Sequence, residues 1–170
     1  DASSLDNING TIAEITAALD DAGIANLDVD TATLDAGPVD AASVSTLEGR
    51  SDVGAVNGAN ITGLTGTTAE IQSVLDNANV TNLSNVTATV SDTTDDGNDL
   101  AALLGGGVIA VDASSVTTMT GSASDITAVM QNGAITKNAN VTAELTSTTE
   151  DASGLTTLSG LVDSIDAGNL

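Results

Sequence analysis

The chain has 170 residues and a net charge of −22, and it contains no aromatic residue, no His and no Cys. Because nucleic-acid binding needs Lys and Arg to neutralise phosphates, this composition excludes nucleic acid and disfavours anionic membranes as partners. It also excludes disulfides, thiol chemistry and any nucleophile activated by His, and no apolar run is long enough for membrane insertion, so we expect a non-enzymatic protein.

A ten-residue phrase, roughly D-x-A-x-V-x-x-L-x-G, opens the chain and then returns along its whole length. Its copies begin at residues 1, 20, 40, 57, 76, 96, 112, 131, 151 and 166. The spacing predicts coils of roughly 18–20 residues, nine in all, and three coils make a longer unit of about 55 residues. The predicted units are therefore 1–56, 57–111 and 112–165, and residues 166–170 start a further one.

Each phrase supplies two aliphatic residues, and a single coil cannot bury them alone. Stacked coils would bury them as a continuous core. The predicted core pairs are Leu5 and Ile8, Ile24 and Leu27, Val44 and Leu47, Ile61 and Leu64, Val80 and Leu83, Leu100 and Leu103, Val116 and Met119, and Leu155 and Leu158. The eighth phrase keeps Ile135 but has Asn138 at the second position, which is either a flaw in the core or an Asn ladder position.

The stretch after the first phrase of each unit favours a short helix. Thr11 with Glu14, and Thr67 with Glu70, have the spacing of a helix capping box. Ile12 and Ile15 also have helical spacing, although related stretches at this place in other coils read as strands. The V-x-x-L spacing of the phrase itself predicts a helical or 3₁₀ turn.

Strands are predicted where β-branched residues alternate with other types. These stretches are TATLD from Thr31, TATVSD from Thr87, TAELTS from Thr142 and GVIAV from Gly107. Glycines that close the phrase predict corners with a left-handed backbone. They are Gly10, Gly49, Gly66, Gly105, Gly121 and Gly160, with Asn85 and Asn140 at the same place in two other coils.

These patterns together predict one mainly β repeat solenoid over residues 1–170, a parallel β-solenoid with short helical segments. The alternative is an α/β solenoid of the leucine-rich-repeat type.

The sequence also resembles a known kind of repeat. Stretches such as VDASSVTTMTGSASDITAV, from Val111 to Val129, resemble the repeats of giant extracellular surface proteins of marine bacteria, especially cyanobacteria. The resemblance implies an extracellular or cell-surface location and a role as stalk, sheath, filament or adhesin. It brings no catalytic residues.

Calcium is the one cofactor that the composition suggests, because Ca²⁺ prefers carboxylate oxygens at flexible corners. The candidate ligands are the acids that open the phrases: Asp1, Asp20, Asp40, Asp76, Asp96, Asp112, Asp151 and Asp166. The competing interpretation is that each Asp caps the turn that follows it. The glycine- and Asp-rich nonapeptide of RTX β-rolls is absent.

The leading functional expectation is a structural module that associates end to end, either with further repeats of the same chain or with another subunit. A cation-dependent adhesin is the alternative. Ice binding is less favoured, because the Thr-x-Thr pairs, Thr31 with Thr33 and Thr87 with Thr89, return only every third coil, and Glu144 interrupts the pattern in the third unit.

Overall fold

The structure, a computed structural model, describes residues 5–24 and 27–168. Within these ranges the fold is mixed α/β, with thirteen strands in three parallel sheets and six helices. The prediction of a parallel, strand-rich chain is confirmed at this level. The helices form a larger part of the fold than the mainly β prediction allowed.

Six helices of eight or nine residues occur in the described chain. They are α1 (Ile12–Leu19), α2 (Ala41–Glu48), α3 (Thr68–Leu75), α4 (Gly97–Gly105), α5 (Ala123–Gln131) and α6 (Ala152–Ser159). The predicted capping boxes are present: Thr11 and Thr67 accept the N–H groups of Glu14 and Glu70, whose side chains accept from the cap backbones. The local signal for helices at these two places was therefore sufficient.

The strands pair in three parallel sheets. The first sheet contains, in order, β1 (Leu5–Gly10), β2 (Val29–Leu34), β4 (Val53–Asn57) and β6 (Val80–Thr81). The second contains β3 (Gly37–Asp40), β5 (Ile61–Gly66), β7 (Val86–Val90), β9 (Val108–Ala113) and β11 (Ile135–Lys137). The third contains β8 (Thr94–Asp96), β10 (Thr118–Gly121), β12 (Thr142–Leu145) and β13 (Ser164–Asp166). The strands predicted from Thr31, Thr87, Thr142 and Gly107 correspond to β2, β7, β12 and β9.

The strand register corrects the predicted coil length of 18–20 residues. Leu5 pairs with Val29 and Val29 with Val53, so the offset is 24 residues at both steps. Helices explain the longer path, because a helix advances about 1.5 Å per residue and a strand about 3.3 Å. A segment that includes helical turns therefore needs more residues before the next strand lies beside the first.

The ten-residue phrase is helical in some copies and contains a strand in others, whereas the sequence predicted the same turn in every copy. The copies beginning at residues 1, 57 and 112 lead into β1, β5 and β10, whereas those at 40, 96 and 151 become α2, α4 and α6. The copies beginning at 76 and 131 contain β6 and β11. Local composition explains the difference, because DAASVSTLEG carries Ala and an Asp N-cap, whereas DASSVTTMTG has β-branched Thr between its apolar residues.

The helices repeat with the 55-residue unit, but the equivalent strands of successive units lie in different sheets. Helices α1, α3 and α5 begin at residues 12, 68 and 123, whereas paired strands are about 24 residues apart. Since 55 is not a multiple of 24, equivalent residues move to the next sheet. Ile8, Leu64 and Met119 are equivalent, and they lie in the first, second and third sheets.

Each sheet therefore combines strands of adjacent units. The second sheet consists of three strands of the middle unit, β5, β7 and β9, with β3 of the first unit at one edge and β11 of the third at the other. Helices α2 and α3 pack together across the first junction, and α4 and α5 across the second. Neighbouring units are thus joined by exchanged strands as well as by helix contacts.

The core is one continuous cluster of small aliphatic side chains that runs through all three units. Predicted core residues that are fully buried include Val44, Leu64, Leu100, Met119 and Leu158. The left-handed glycine prediction is confirmed at Gly10, Gly66 and Gly121, which precede the caps of α1, α3 and α5. It is wrong for Gly49 and Gly160, which cap helix C-termini with right-handed angles.

Candidate functional site

Large apolar side chains are exposed at the first unit although their equivalents are buried. Leu5 is 39% exposed, whereas the equivalent Ile61 and Val116 are 3% and 0% exposed. Ile8 follows the same pattern, since it is only partly buried in β1. The cause is the missing neighbour: β5 and β10 each have a strand on both sides, whereas β1 pairs with β2 alone among the described residues.

Ile24 repeats this observation at a second place in the first unit. It is exposed, whereas the equivalent residues Val80 and Ile135 are buried in β6 and β11. Leu5 and Ile24 are two of the three large apolar side chains that are markedly exposed in the described chain, the third being Ile109 in β9. Exposed aliphatic surface is therefore concentrated at the end of the molecule formed by the first unit.

The third unit has a matching exposed surface on α6. Ala152 is exposed, whereas the equivalent Ala41 and Gly97 are buried. A side chain at Gly97 would touch the backbone of Asp125 and Ile126 in α5, which shows how closely the next unit packs there.

The same end of the molecule contains a segment that lacks its strand partner. Residues 149–151 are equivalent to β3 and β8, which pair with β5 and β10 of the following unit. Residues 149–151 are not in a strand, and no following unit lies beside them in the described chain. We call Leu5, Ile8 and Ile24 with β1 the leading end, and residues 149–151 with α6 the trailing end.

Three of the calcium candidates are helix N-caps. Asp40 accepts the N–H of Ser43 at 2.8 Å and Asp96 that of Asn98 at 2.9 Å, which confirms the capping interpretation for these two. Hydrogen bonds from the Ser43 hydroxyl and N–H lower the pKa of Asp40. Asp151 is the N-cap of α6 but makes no side-chain bond to the helix backbone.

The remaining candidates occupy other kinds of position. Asp20 and Asp76 are the C-caps of α1 and α3, Asp112 and Asp166 lie in β9 and β13, and Asp1 lies outside the described residues. The phrase-opening acids are therefore not equivalent in the fold. Among residues 5–24 and 27–168, no group of three carboxylates is placed to hold a metal ion.

The adopted register also places these acids beside other residue types. Asp112 pairs with Thr89 and Thr136, so it does not stack on a second phrase-opening acid. Asp166 pairs with Glu144, which brings two carboxylates to adjacent strands. Neither Asp112 nor Asp166 therefore pairs with a second phrase-opening acid.

Open grooves lie between the two helices of each unit. Their volumes are about 380 Å³ between α1 and α2, 570 Å³ between α3 and α4, and 340 Å³ between α5 and α6. The first N–H of α3, from Thr68, donates to Asp92 at 2.8 Å, and that of α5, from Ala123, donates to Glu150 at 3.0 Å. These acids from the following segment cap α3 and α5, and they connect the two parts of the second and third units.

Two buried oxygens in these grooves have no hydrogen-bond partner, Gln72 Oε1 and Thr127 Oγ1. They occupy the same repeat position in the second and third units. In the middle groove, burial raises the pKa of Asp95, and hydrogen bonds from Thr68 and from the Asp96 N–H oppose that effect. The ten-residue repeat does not indicate these grooves, although an acid 24 or 27 residues after the first residue of a helix does predict the cap.

The Thr-x-Thr pairs lie in two different sheets and not in one array. Thr31 and Thr33 belong to β2 in the first sheet, and Thr87 and Thr89 to β7 in the second. Thr33 pairs with Asn9 on one neighbouring strand and with Asn57 on the other. The row across the first sheet at this position is therefore mixed Asn and Thr, and not an array of Thr alone.

Comparisons with protein-family models, with curated proteins and with solved structures find no match to this chain. No helix in the described ranges is both long enough and apolar enough to cross a membrane.

Proposed function

We propose that the chain is a structural repeat module, a stretch of parallel solenoid that forms a stalk, filament, sheath or surface-layer element by end-to-end stacking of units. One observation carries the proposal: residues exposed at the leading end are buried wherever another unit precedes them. The clearest example is Leu5, whose side chain is exposed, whereas the equivalent Ile61 and Val116 are buried.

The joints between units support this function. Each junction exchanges strands, so every added unit extends a sheet on both sides of the joint. In repeat proteins stability is the sum of unit terms and nearest-neighbour interface terms, and an array of this kind gains stability with length. Such a construction suits a load-bearing or spacing element.

The proposed location is extracellular or at the cell surface. A net charge of −22 makes the chain repel itself at low ionic strength, and salt screens that repulsion. Labelling of intact source cells with an antibody to the chain tests the location, and signal only after lysis would contradict it.

A tandem fusion tests the structural function. Residues 166–170, DAGNL, match the opening DASSL, so residue 165 of one copy is joined directly to residue 1 of a second. We expect the fusion to unfold as one cooperative unit at a higher urea concentration than the single chain, because the new junction buries Leu5 and Ile8.

The matched control carries Ile8→Asp in the second copy only, which places a carboxylate in the new junction. This fusion should unfold at the midpoint of the single chain, since its two halves no longer stabilise each other. An unmodified fusion with the same midpoint as the single chain would contradict the structural proposal.

A cation-dependent adhesin is the second candidate, and the adjacent carboxylates of Glu144 and Asp166 favour it. Calorimetric titration with Ca²⁺, repeated with Mg²⁺ and with Glu144→Gln, tests it. Saturable calcium heat that Glu144→Gln removes supports this function, and the absence of heat above dilution contradicts it.

A further inference from the structure

We infer that the leading and trailing ends bind each other between separate copies of this chain in one defined register, with β1 of one copy adding to residues 149–151 of the copy before it. This inference rests on the proposed structural function and names its partner, a second copy of the chain, and the strand pairing that joins them.

The two internal junctions fix the register. At the first, Pro38, Val39 and Asp40 pair with Gly63, Leu64 and Thr65. At the second, Thr94, Asp95 and Asp96 pair with Thr118, Met119 and Thr120. The two sets are equivalent residue by residue along the 55-residue unit.

Extending the equivalence by one unit gives the pairing between copies. The trailing residues are Thr149, Glu150 and Asp151, and the leading residues equivalent to Gly63, Leu64 and Thr65 are Asn7, Ile8 and Asn9. The interface therefore pairs Asn7 with Thr149, Ile8 with Glu150 and Asn9 with Asp151.

Backbone hydrogen bonding at the internal junction shows what the trailing edge would offer. The Thr93 carbonyl accepts the N–H groups of Thr117 and Thr118. Its equivalent at the trailing end is the carbonyl of Thr148, an exposed residue that directly precedes the segment 149–151. An added strand would supply these donors, the mode of strand addition by which exposed sheet edges recognise partners.

Side chains at both ends are also complementary in kind. Ala152 on α6 is small and exposed, whereas its equivalents Ala41 and Gly97 are buried where the following unit packs. Ala41 lies against Gly66, just before α3, and Gly97 lies against the backbone of α5. The added copy would cover Ala152 with α1 and would bury Leu5 and Ile8. Because the leading and trailing surfaces differ, the contact is heterologous and produces an open chain of copies.

Cysteine cross-linking tests the register, because the chain has no cysteine of its own. Cα atoms paired across parallel strands lie within the range that a disulfide spans. The variant Asn7→Cys/Thr149→Cys is oxidised at rising protein concentration and separated without reductant. We expect a ladder of covalent dimers, trimers and longer species.

Two matched variants calibrate this result. Thr94→Cys/Thr118→Cys is the same pair inside one chain, so it should close within the monomer and give no ladder. Asn7→Cys/Thr148→Cys shifts the register by one residue and turns one thiol to the opposite face of the sheet, so its ladder should form several times more slowly.

Ala152→Glu supplies an independent measurement by sedimentation velocity, because the exposed position leaves the monomer folded. A buried, unpaired carboxylate should weaken association by more than about tenfold. Ile109→Glu is the control, since Ile109 is 56% exposed but lies away from both ends, and it should leave association unchanged.

The outcomes separate the two proposals. If the chain associates but the two registers cross-link equally, or if Ala152→Glu has no effect, the inferred register is wrong while the structural function stands. If the chain stays monomeric at every concentration, binding between separate copies is wrong, and the tandem fusion decides the structural function by itself.

Discussion

The second sheet and the two outer sheets are built from the same repeat, yet they differ in completeness. The second sheet has five strands, three from its own unit and one from each neighbour. Among residues 5–24 and 27–168, the first sheet has no strand on the outer side of β1, and the third has none on the outer sides of β8 and β13. One unit is therefore not a complete structural element. Two strands of the middle unit, β6 and β8, belong to the first and third sheets.

The largest effect should come from the aliphatic position that the two regions share. Leu64→Ala in the second sheet removes a fully buried side chain and should cost about 2–5 kcal/mol of unfolding free energy. The equivalent change Ile8→Ala should cost clearly less in the monomer, because Ile8 is only partly buried. Urea unfolding measures both, and equal losses would contradict the comparison.

The second-largest loss of stability should come from the helix cap in the groove of the middle unit. Asp92→Ala leaves the N–H of the buried Thr68 without its acceptor and should cost about 1–3 kcal/mol. Asp92→Asn keeps an acceptor oxygen and should cost less. The first unit has Ala36 and Ile12 at these positions. Ala36→Asp should therefore raise the urea midpoint slightly, and a loss there would show that the first unit cannot form this cap.

The pH dependence of stability should distinguish two carboxylates whose pKa values are shifted in opposite directions. Burial raises the pKa of Asp95, so its ionisation destabilises the native state at neutral pH, and that cost disappears as pH falls through the native pKa. Asp95→Asn should therefore raise the urea midpoint at pH 7 and have no such effect below the unfolded pKa of 3.8.

Asp40 is the matched opposite case. Hydrogen bonds from Ser43 lower its pKa, so its stabilisation is present above the unfolded value of 3.8 and is lost as pH falls through the native pKa. Asp40→Asn should lower the urea midpoint at pH 7. Shifts of the same sign in the Asp95 and Asp40 variants would contradict the assigned environments.

The smallest effect should come from Arg50 in the first unit. Its guanidinium contacts Asp20 at 2.9 Å and Asp52 at 2.8 Å, and it ties the end of α1 to the segment before β4. Because the pair is partly exposed, Arg50→Ala should cost no more than about 1 kcal/mol. The loss should shrink in 1 M salt, where screening is strong. A loss that is independent of salt would point to packing of the side chain.

Local signals predicted some elements and non-local pairing decided the rest. The capping boxes at Thr11 and Thr67 depend on residues three apart, so the helices after them were predictable. The alternating TATLD and TATVSD stretches were readable as strands for the same reason. The register of the strands was not predictable, because it depends on how many residues the intervening helices take up. The ten-residue phrase does not show that number.

The candidate site also has a part that the sequence predicted and a part that it did not. End-to-end association was predicted from the repeat pattern, but the residues that form the ends could be named only after the exchanged strands were known. The calcium candidates were chosen by their place in the phrase. Since the phrase forms helix in one copy and strand in another, equal places in sequence do not give Asp40 and Asp112 equal surroundings.

The mismatch between the 55-residue unit and the 24-residue register has a consequence for any long array. Equivalent strands of successive units lie in the first, second and third sheets, whereas the helices contact one another in a single series from α1 to α6. A partner that recognises one strand of the unit would therefore meet that strand in a different sheet at each unit, although the helix beside it would continue the same series.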